Sequence, residues 1–336
     1  MNCIKDGIIG QIVGDALGLP VQFEPRKCRE EDPVTDMRGH GAFDKPAGSW
    51  SDDSSLILAI IDGLSKCLEN KKEDDSLLSE IIDYETIMEN FSLWLNEGEF
   101  TPYGKAYDIG GATMDGIHRY DGGTEPILSG GIGERDNGNG SLMRILPIAY
   151  FIHYLSQKHS FDEDDKMTAV HNLSSLTHRH RRSQMCCGIY TLIALEFIEN
   201  YENKCDLGLE ELITKGINKS RDYYFNNDEF KKELHHFDRV FSLNIQNLPR
   251  DEIKSGGYTI SSLEASIWCL LNNNSYKDTV LEAVNLGYDT DTTACIVGGL
   301  AGIHYGYDDI PSEWIEQLAK LDYIEDLIKD FTLNLK

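Results

Sequence analysis

Residues 285–302, NLGYDTDTTACIVGGLAG, set two aspartates one residue apart directly before a run that has no polar face. A helix that is apolar all round has to be surrounded by protein on every side. That requirement excludes a thin or open architecture and demands a layer of other helices around this one. Residues 294–306 (ACIVGGLAGIHYG) and 7–18 (GIIGQIVGDALG) share the same character, rich in Gly and Ala, which let other backbones approach closely. The two segments read as packing seams, with a buried-looking Asp15 inside the first.

Helical periodicity continues along the chain. It predicts helices at residues 4–18, 53–68, 77–97, 141–157, 182–203, 207–219, 259–271, 277–287, 291–306 and 312–331. Alternation of the strand type is scarce, residues 33–43 are irregular and Gly-rich, and long Val/Ile/Thr runs are absent. The expectation is an all-α fold in a single domain spanning residues 1–336, because no Pro/Ser-rich linker or internal repeat divides the chain. Charged stretches at 69–80, 160–166 and 226–233 read as solvated turns. The Gly-rich section 98–140 is longer than ordinary connections, a mark of functional loops, with one short helix expected near 106–119.

A formal net charge of −26, from 57 acids against 31 bases, repels phosphate backbones and argues against general nucleic-acid binding. The eight cysteines form no CxxC pair and no zinc-type spacing, so a reduced, cytoplasmic compartment is expected. Asp6, Gln11 and Asp15 interrupt the apolar N-terminal stretch, which therefore reads as neither signal peptide nor membrane span.

A second segment resembles the opening one. In GSWSDDSSLILAIIDGL, residues 48–64, Asp52 and Asp53 stand between Ser51 and Ser54 before another apolar helix. Taken singly, each cluster reads first as a helix cap, worth ~0.3–1 kcal/mol through the dipole alone. Capping needs one oxygen ligand per helix, and two clusters supply four aspartates. If the helix ends met, those carboxylates would repel one another unless a cation lay between them. The donors are oxygens only, which selects Mg²⁺ or Mn²⁺ first and Ca²⁺ second. Two ions would account for the excess of acids.

Several segments together resemble the ADP-ribosylglycohydrolase family. They are GQIVGDALGLPVQFEPR (10–26), GSWSDDSSL (48–56), YDIGGAT (107–113), GNGSLMRILP (138–147), THRH (177–180), SGGYTISSLEASIWCLL (255–271), GYDTDTTACIVGGLAGIHYG (287–306) and IPSEW (310–314). They follow the family's order and are spread over most of the chain, from residue 10 to residue 314. The resemblance implies an all-α fold with a binuclear Mg²⁺ centre in a central cleft. Position by position, Ser51, Asp52 and Asp53 would hold metal from one side, and Asp289, Asp291 and Thr292 from the other. The implied reaction is hydrolysis of the glycosidic bond between ADP-ribose and an acceptor, with Asp52, Asp53 and Asp108 as the catalytic carboxylates. Asn137, Gly138, Asn139, Gly140 and Ser141, leading into a helix, would face the diphosphate, and His178 would lie near the diphosphate or distal ribose. Gly110, Gln22 and Glu24 complete the implied substrate contacts. Without the resemblance, the Asn137–Ser141 loop reads as a Gly-rich turn capping a helix at about 141, HRHRR as a solvated basic patch, and Asp108 equally as a helix cap.

Where many relatives carry a glutamate, this chain has Gln22, which can ligate but cannot act as a base; Glu24 is offset by two residues. That departure favours an arginine-type linkage on a protein side chain or a small ADP-ribose conjugate. Two further readings stand beside it: a non-catalytic, crystallin-like member of the same fold, and a metal-dependent nucleotide phosphohydrolase. The C-terminal segment 312–331 has no long heptad seam, so a monomer is expected.

Overall fold

The computed structural model describes residues 2–70 and 77–336. Among the described residues, sixteen α-helices and several short 3₁₀ turns account for the regular structure, and the only strand-like pairings are three isolated bridges. The all-α expectation holds. The two Gly/Ala-rich segments, Cys3–Gly18 and Thr290–Tyr305, make the most extensive helix–helix contact in the protein. Every residue of Ile8–Gly18 is buried, as a helix without a polar face requires.

Glycine explains how close these helices come. A Cβ on Gly14 would sit 2.6 Å from the carbonyl carbon of Ala294, and one on Gly10 would meet the backbone of Gly298. Real Cβ atoms do not approach backbone so closely, so the seam tolerates no side chain there. Its far end brings Gly18 against Asp291, and the Thr290 hydroxyl donates to the Gly18 carbonyl at 2.7 Å. The seam therefore fixes where the Asp289/Asp291 cluster sits.

Asp52–Asn70 packs beside Cys3–Gly18, and Tyr84–Glu97, Leu146–Ser156, Arg181–Glu202 and Thr259–Leu271 enclose one continuous core. Several predicted boundaries move for identifiable reasons. The 77–97 segment divides into Leu78–Ile81 and Tyr84–Glu97, because Asp83 adopts extended backbone and caps the second helix. Residues 71–76 of the charged stretch 69–80 lie outside the described residues. The helix expected from 141 begins instead at Leu146, with Pro147 in its first turn. The 312–331 segment breaks at Lys320, whose φ of 56° is left-handed, and resumes as Leu321–Leu335. The 160–166 stretch is not merely a turn: Asp162 accepts from Asp165 N–H at 2.8 Å and starts the helix Glu163–Ser175.

Candidate functional site

The C-terminal half of the first helix organises the Asp52/Asp53 cluster. Asp15 turns its carboxylate onto the first turn of Asp52–Asn70, accepting from Ser51 N–H at 2.9 Å, Ser54 N–H at 3.1 Å and the Ser54 hydroxyl at 2.5 Å. Burial pushes the Asp15 carboxyl up to about 6 even against the pull of these donors. Ser51 Oγ completes the cap by accepting from Asp53 N–H at 3.1 Å. Asp15 and Ser51 thus do the capping, and Asp52 and Asp53 are left over.

At the other mouth, Asp289 precedes the Thr290–Tyr305 helix but makes no side-chain cap. Its Oδ2 accepts instead from Asn139 Nδ2 at 2.6 Å, while Asp291 Oδ1 accepts from Thr292 N–H at 2.8 Å. The two mouths meet: the Thr292 hydroxyl donates to Asp53 Oδ2 at 3.2 Å, beside the Ser51 hydroxyl, also at 3.2 Å.

Three carboxylate oxygens around this junction, Asp53 Oδ1, Asp291 Oδ2 and Asp108 Oδ2, are buried without a hydrogen-bond partner. In folded proteins most buried polar atoms are paired, since leaving one unmade costs ~1–3 kcal/mol and more for a charge. Burial first, then repulsion from neighbouring carboxylates (chiefly Asp108 for Asp52 and Asp291, and Asp15 and Asp289 for Asp53), pushes all three well above the usual carboxylate range. Asp108, held at a left-handed φ of 54°, stands against Asp291 and Gln22, and burial pushes it up to about 6. Among the described residues, no three His, Cys, Asp or Glu side chains close on one point as a ready cage. A hard cation that keeps several waters needs only one or two carboxylates with hydroxyl support. The orphaned oxygens and the Ser51 and Thr292 hydroxyls fit such an ion.

Above the acids opens a cavity of about 660 Å³, within the range of small-molecule sites. Gln22, Asp52, Asp108, Asp289 and Thr292 line one part of it, and Gly110, Thr113, Gly138, Asn139, Gly140 and His178 another. Asp53 and Asp291 lie deeper, at or below 1% exposure.

The HRHRR run is not a solvated patch. His178 is buried, and burial together with the nearby Arg144 guanidinium pushes it down to about 3. Arg144 Nη2 donates to Thr177 Oγ1 at 2.7 Å, which leaves the Thr177 O–H to donate to His178 Nδ1 at 2.7 Å. That network assigns the neutral ring its proton on Nε2, at the cavity wall. A Cβ on Gly140 would stand 2.9 Å from His178 Cε1, so glycine is required for the ring to lie there.

The Gly138–Gly140 loop is not a helix start either. Asn139 N–H donates to Gly257 O at 3.1 Å and Thr259 N–H to Asn137 O at 3.0 Å, tying the loop to residues 256–259. Of the residues expected around it, Ser141 turns its hydroxyl to Ser174 at 2.9 Å in the core, and Asn137 accepts from Ser183 at 3.3 Å. Neither lines the cavity, and nor does Glu24, which pairs with Arg29. Sequence reasoning passed over Arg144, whose Nη1 donates to Gly140 O at 2.8 Å beneath the loop, although the MR pair ending GNGSLMR was its signal. It also passed over Thr113, Phe23 and Tyr288, which line the cavity and had no pattern to mark them.

The profile of the ADP-ribosylglycohydrolase family matches residues 2–335. The chain is 30% identical over 334 residues to the "ADP-ribosylarginine hydrolase Tri1" of Pseudomonas putida (strain GB-1), covering 97% of this chain and 76% of that protein. It is 27% identical over 312 residues to the "ADP-ribosyl-[dinitrogen reductase] glycohydrolase" of Rhodospirillum rubrum, covering 92% and 88%. A solved structure titled "ADP-ribosylglycohydrolase-related protein complex" superposes with a TM-score of 0.74 at 23% identity, over 99% of this chain and 98% of that one, and shares the fold. With a profile match along nearly its whole length, the chain belongs to the ADP-ribosylglycohydrolase family.

Proposed function

We propose that this protein is a Mg²⁺-dependent hydrolase that cleaves the bond between ADP-ribose and an arginine side chain, releasing ADP-ribose. The observation that carries the reading is the meeting of the two acid mouths, with three buried carboxylate oxygens left without partners. Ser51, Asp52, Asp53, Asp289, Asp291 and Thr292 would hold two ions, with Mn²⁺ as a substitute. When bound, such ions supply Lewis-acid polarisation of the proximal ribose hydroxyls and of a water.

The remaining work belongs to the chain's own groups. The crowded carboxylates favour positive charge on the ribose as the bond to the acceptor nitrogen lengthens. Asp108, at the cavity wall beside Gln22, takes a proton from the attacking water and returns it to the departing nitrogen, so one C–N bond is exchanged for one C–O bond. Gln22 has no proton to exchange in this way, and Asp108 is the carboxylate set against it at the cavity wall. His178 Nε2–H and the Gly138–Gly140 backbone face the diphosphate. The eight cysteines, all free, support a reducing cytoplasmic location, and we propose a monomer.

The test is release of ADP-ribose from ADP-ribosyl-arginine with Mg²⁺, with EDTA and with Asp291→Ala, beside calorimetric Mg²⁺ binding. Release that needs both Mg²⁺ and Asp291 supports the reading. Mg²⁺ binding without release directs the search to serine conjugates. AMP as product replaces it with a phosphohydrolase, and loss of both binding and turnover replaces it with a non-catalytic member of the fold.

A further inference from the structure

Two largely exposed aromatic residues line the cavity. Phe23 is 66% exposed and Tyr288 50% exposed, yet both line the cavity that also contains Asp52, Asp108 and Asp289. Both hold left-handed backbone, at φ 68° and 64°. Left-handed backbone in a bulky residue costs on the order of 1–3 kcal/mol and persists only where the surroundings impose it. Here they do. Phe23 N–H donates to Tyr288 O at 2.6 Å, and Tyr288 N–H returns a bond to Glu24 O at 2.7 Å. Arg26 fastens the joint from behind, its Nε donating to Leu286 O at 2.9 Å and its Nη1 to Arg250 O at 2.7 Å. Gly287 packs so tightly on Arg26 that a Cβ would meet its backbone nitrogen at 2.6 Å.

The joint therefore holds two rings in water, at the acidic part of the cavity, in backbone that glycine would adopt at no cost. Phe23 also starts an aromatic row through Phe43 at 6.1 Å and on to Tyr107 at 5.7 Å, which stiffens its side of the mouth. Rings set beside carboxylates recognise one class of group well: a planar cation, held by its face on the ring and by its N–H groups on the acids.

We propose that Phe23 and Tyr288 form an aromatic gate that stacks on the guanidinium of the acceptor, setting specificity for arginine conjugates over uncharged ones. The inference rests on the arginine-linkage reading above. Both residues touch substrate in this account but neither takes part in proton transfer.

The experiment compares Phe23→Gly and Tyr288→Gly with wild type, and with the ring-conserving Phe23→Tyr and Tyr288→Phe. Three quantities are read: the KM and kcat for ADP-ribosyl-arginine, the Kd of free ADP-ribose with Mg²⁺, and the melting midpoint. Each glycine variant is expected to raise KM about 3- to 30-fold, the range of an exposed to a desolvated cation–π contact, with kcat within about twofold. The Kd of ADP-ribose should not move, the ring-conserving variants should match wild type, and the glycine variants should melt no lower than wild type. Phe23→Ala and Tyr288→Ala provide the same ring deletion without new backbone freedom. An equal loss of affinity for free ADP-ribose would assign the rings to adenine or ribose and overturn the proposal. Unchanged KM in all four deletions, with an active wild type, would overturn it while leaving the arginine reading intact. A wild type that binds Mg²⁺ yet releases nothing from the arginine conjugate would instead remove the reading on which it rests.

Discussion

The two helix mouths look alike in the sequence and are built differently. SDDS at 51–54 and DTDT at 289–292 each place two aspartates among hydroxyl residues before an apolar helix. At the first, a residue from another helix, Asp15, provides most of the cap; at the second, the N-cap residue Asp289 makes no cap bond with its side chain. The difference teaches that aspartate at a helix N-terminus is not by itself evidence of capping. Asp52 and Asp53 are freed by Asp15, and Asp289 is held by Asn139 from a distant loop. Both mouths commit their carboxylates to the space between them.

The largest effect is expected at the borrowed cap. Asp15→Ala orphans the N–H groups of Ser51 and Ser54 and the Ser54 hydroxyl in a fully buried place. A loss of about 3 kcal/mol or more in unfolding free energy follows, read from denaturant midpoints. Asp15→Asn should cost less, because it keeps an acceptor and removes a carboxyl that burial already disfavours.

Acid should act next, through the buried histidines. Burial pushes His171 and His178 down to about 3, with Arg181 and Arg144 respectively adding to it. An unfolded histidine titrates near 6.5, so below that pH the unfolded chain binds protons that the folded chain refuses. The histidine contribution to stability is therefore intact above about pH 6.5 and is lost as pH falls toward 3, by about 2 kcal/mol per histidine at pH 5. The raised carboxyls of Asp15, Asp52, Asp53, Asp108 and Asp291 act in the opposite direction. His171→Phe should remove one histidine's share, about 2 kcal/mol, read as the variant-minus-wild-type difference in unfolding free energy between pH 7 and pH 5.

The smallest change in stability is the most discriminating. With EDTA present, Asp52→Asn should leave the unfolding free energy unchanged or raise it by ~0–1 kcal/mol, because a crowded buried charge is removed and no cap is lost. A drop of the size of a lost cap, about 1 kcal/mol, would return Asp52 to a structural role.

Much of this was legible beforehand. The seam between Cys3–Gly18 and Thr290–Tyr305 follows from Gly and Ala at helical spacing, and the meeting of the mouths from an excess of carboxylates over caps. The helix Glu163–Ser175 was hidden because its polar residues mask a narrow apolar stripe of Met167, Ala169, Val170 and Leu173. HRHRR looks solvated in the sequence, while the setting of His178 depends on Arg144 arriving from a distant loop to anchor the neighbouring Thr177. The exposed rings of Phe23 and Tyr288 carry no periodicity at all. Their placement is a property of backbone torsion and of the Arg26 joint, which only the folded chain displays.

The central claim is that the two mouths form one cation site. Titration of Mg²⁺ into metal-free protein by calorimetry tests it most directly, with Asp52→Asn from one mouth and Asp291→Asn from the other. The account predicts binding by wild type and a loss of at least about tenfold in affinity in each variant, with melting in EDTA no lower than wild type. Binding that survives either substitution unchanged, or a wild type that takes up no Mg²⁺, would contradict it.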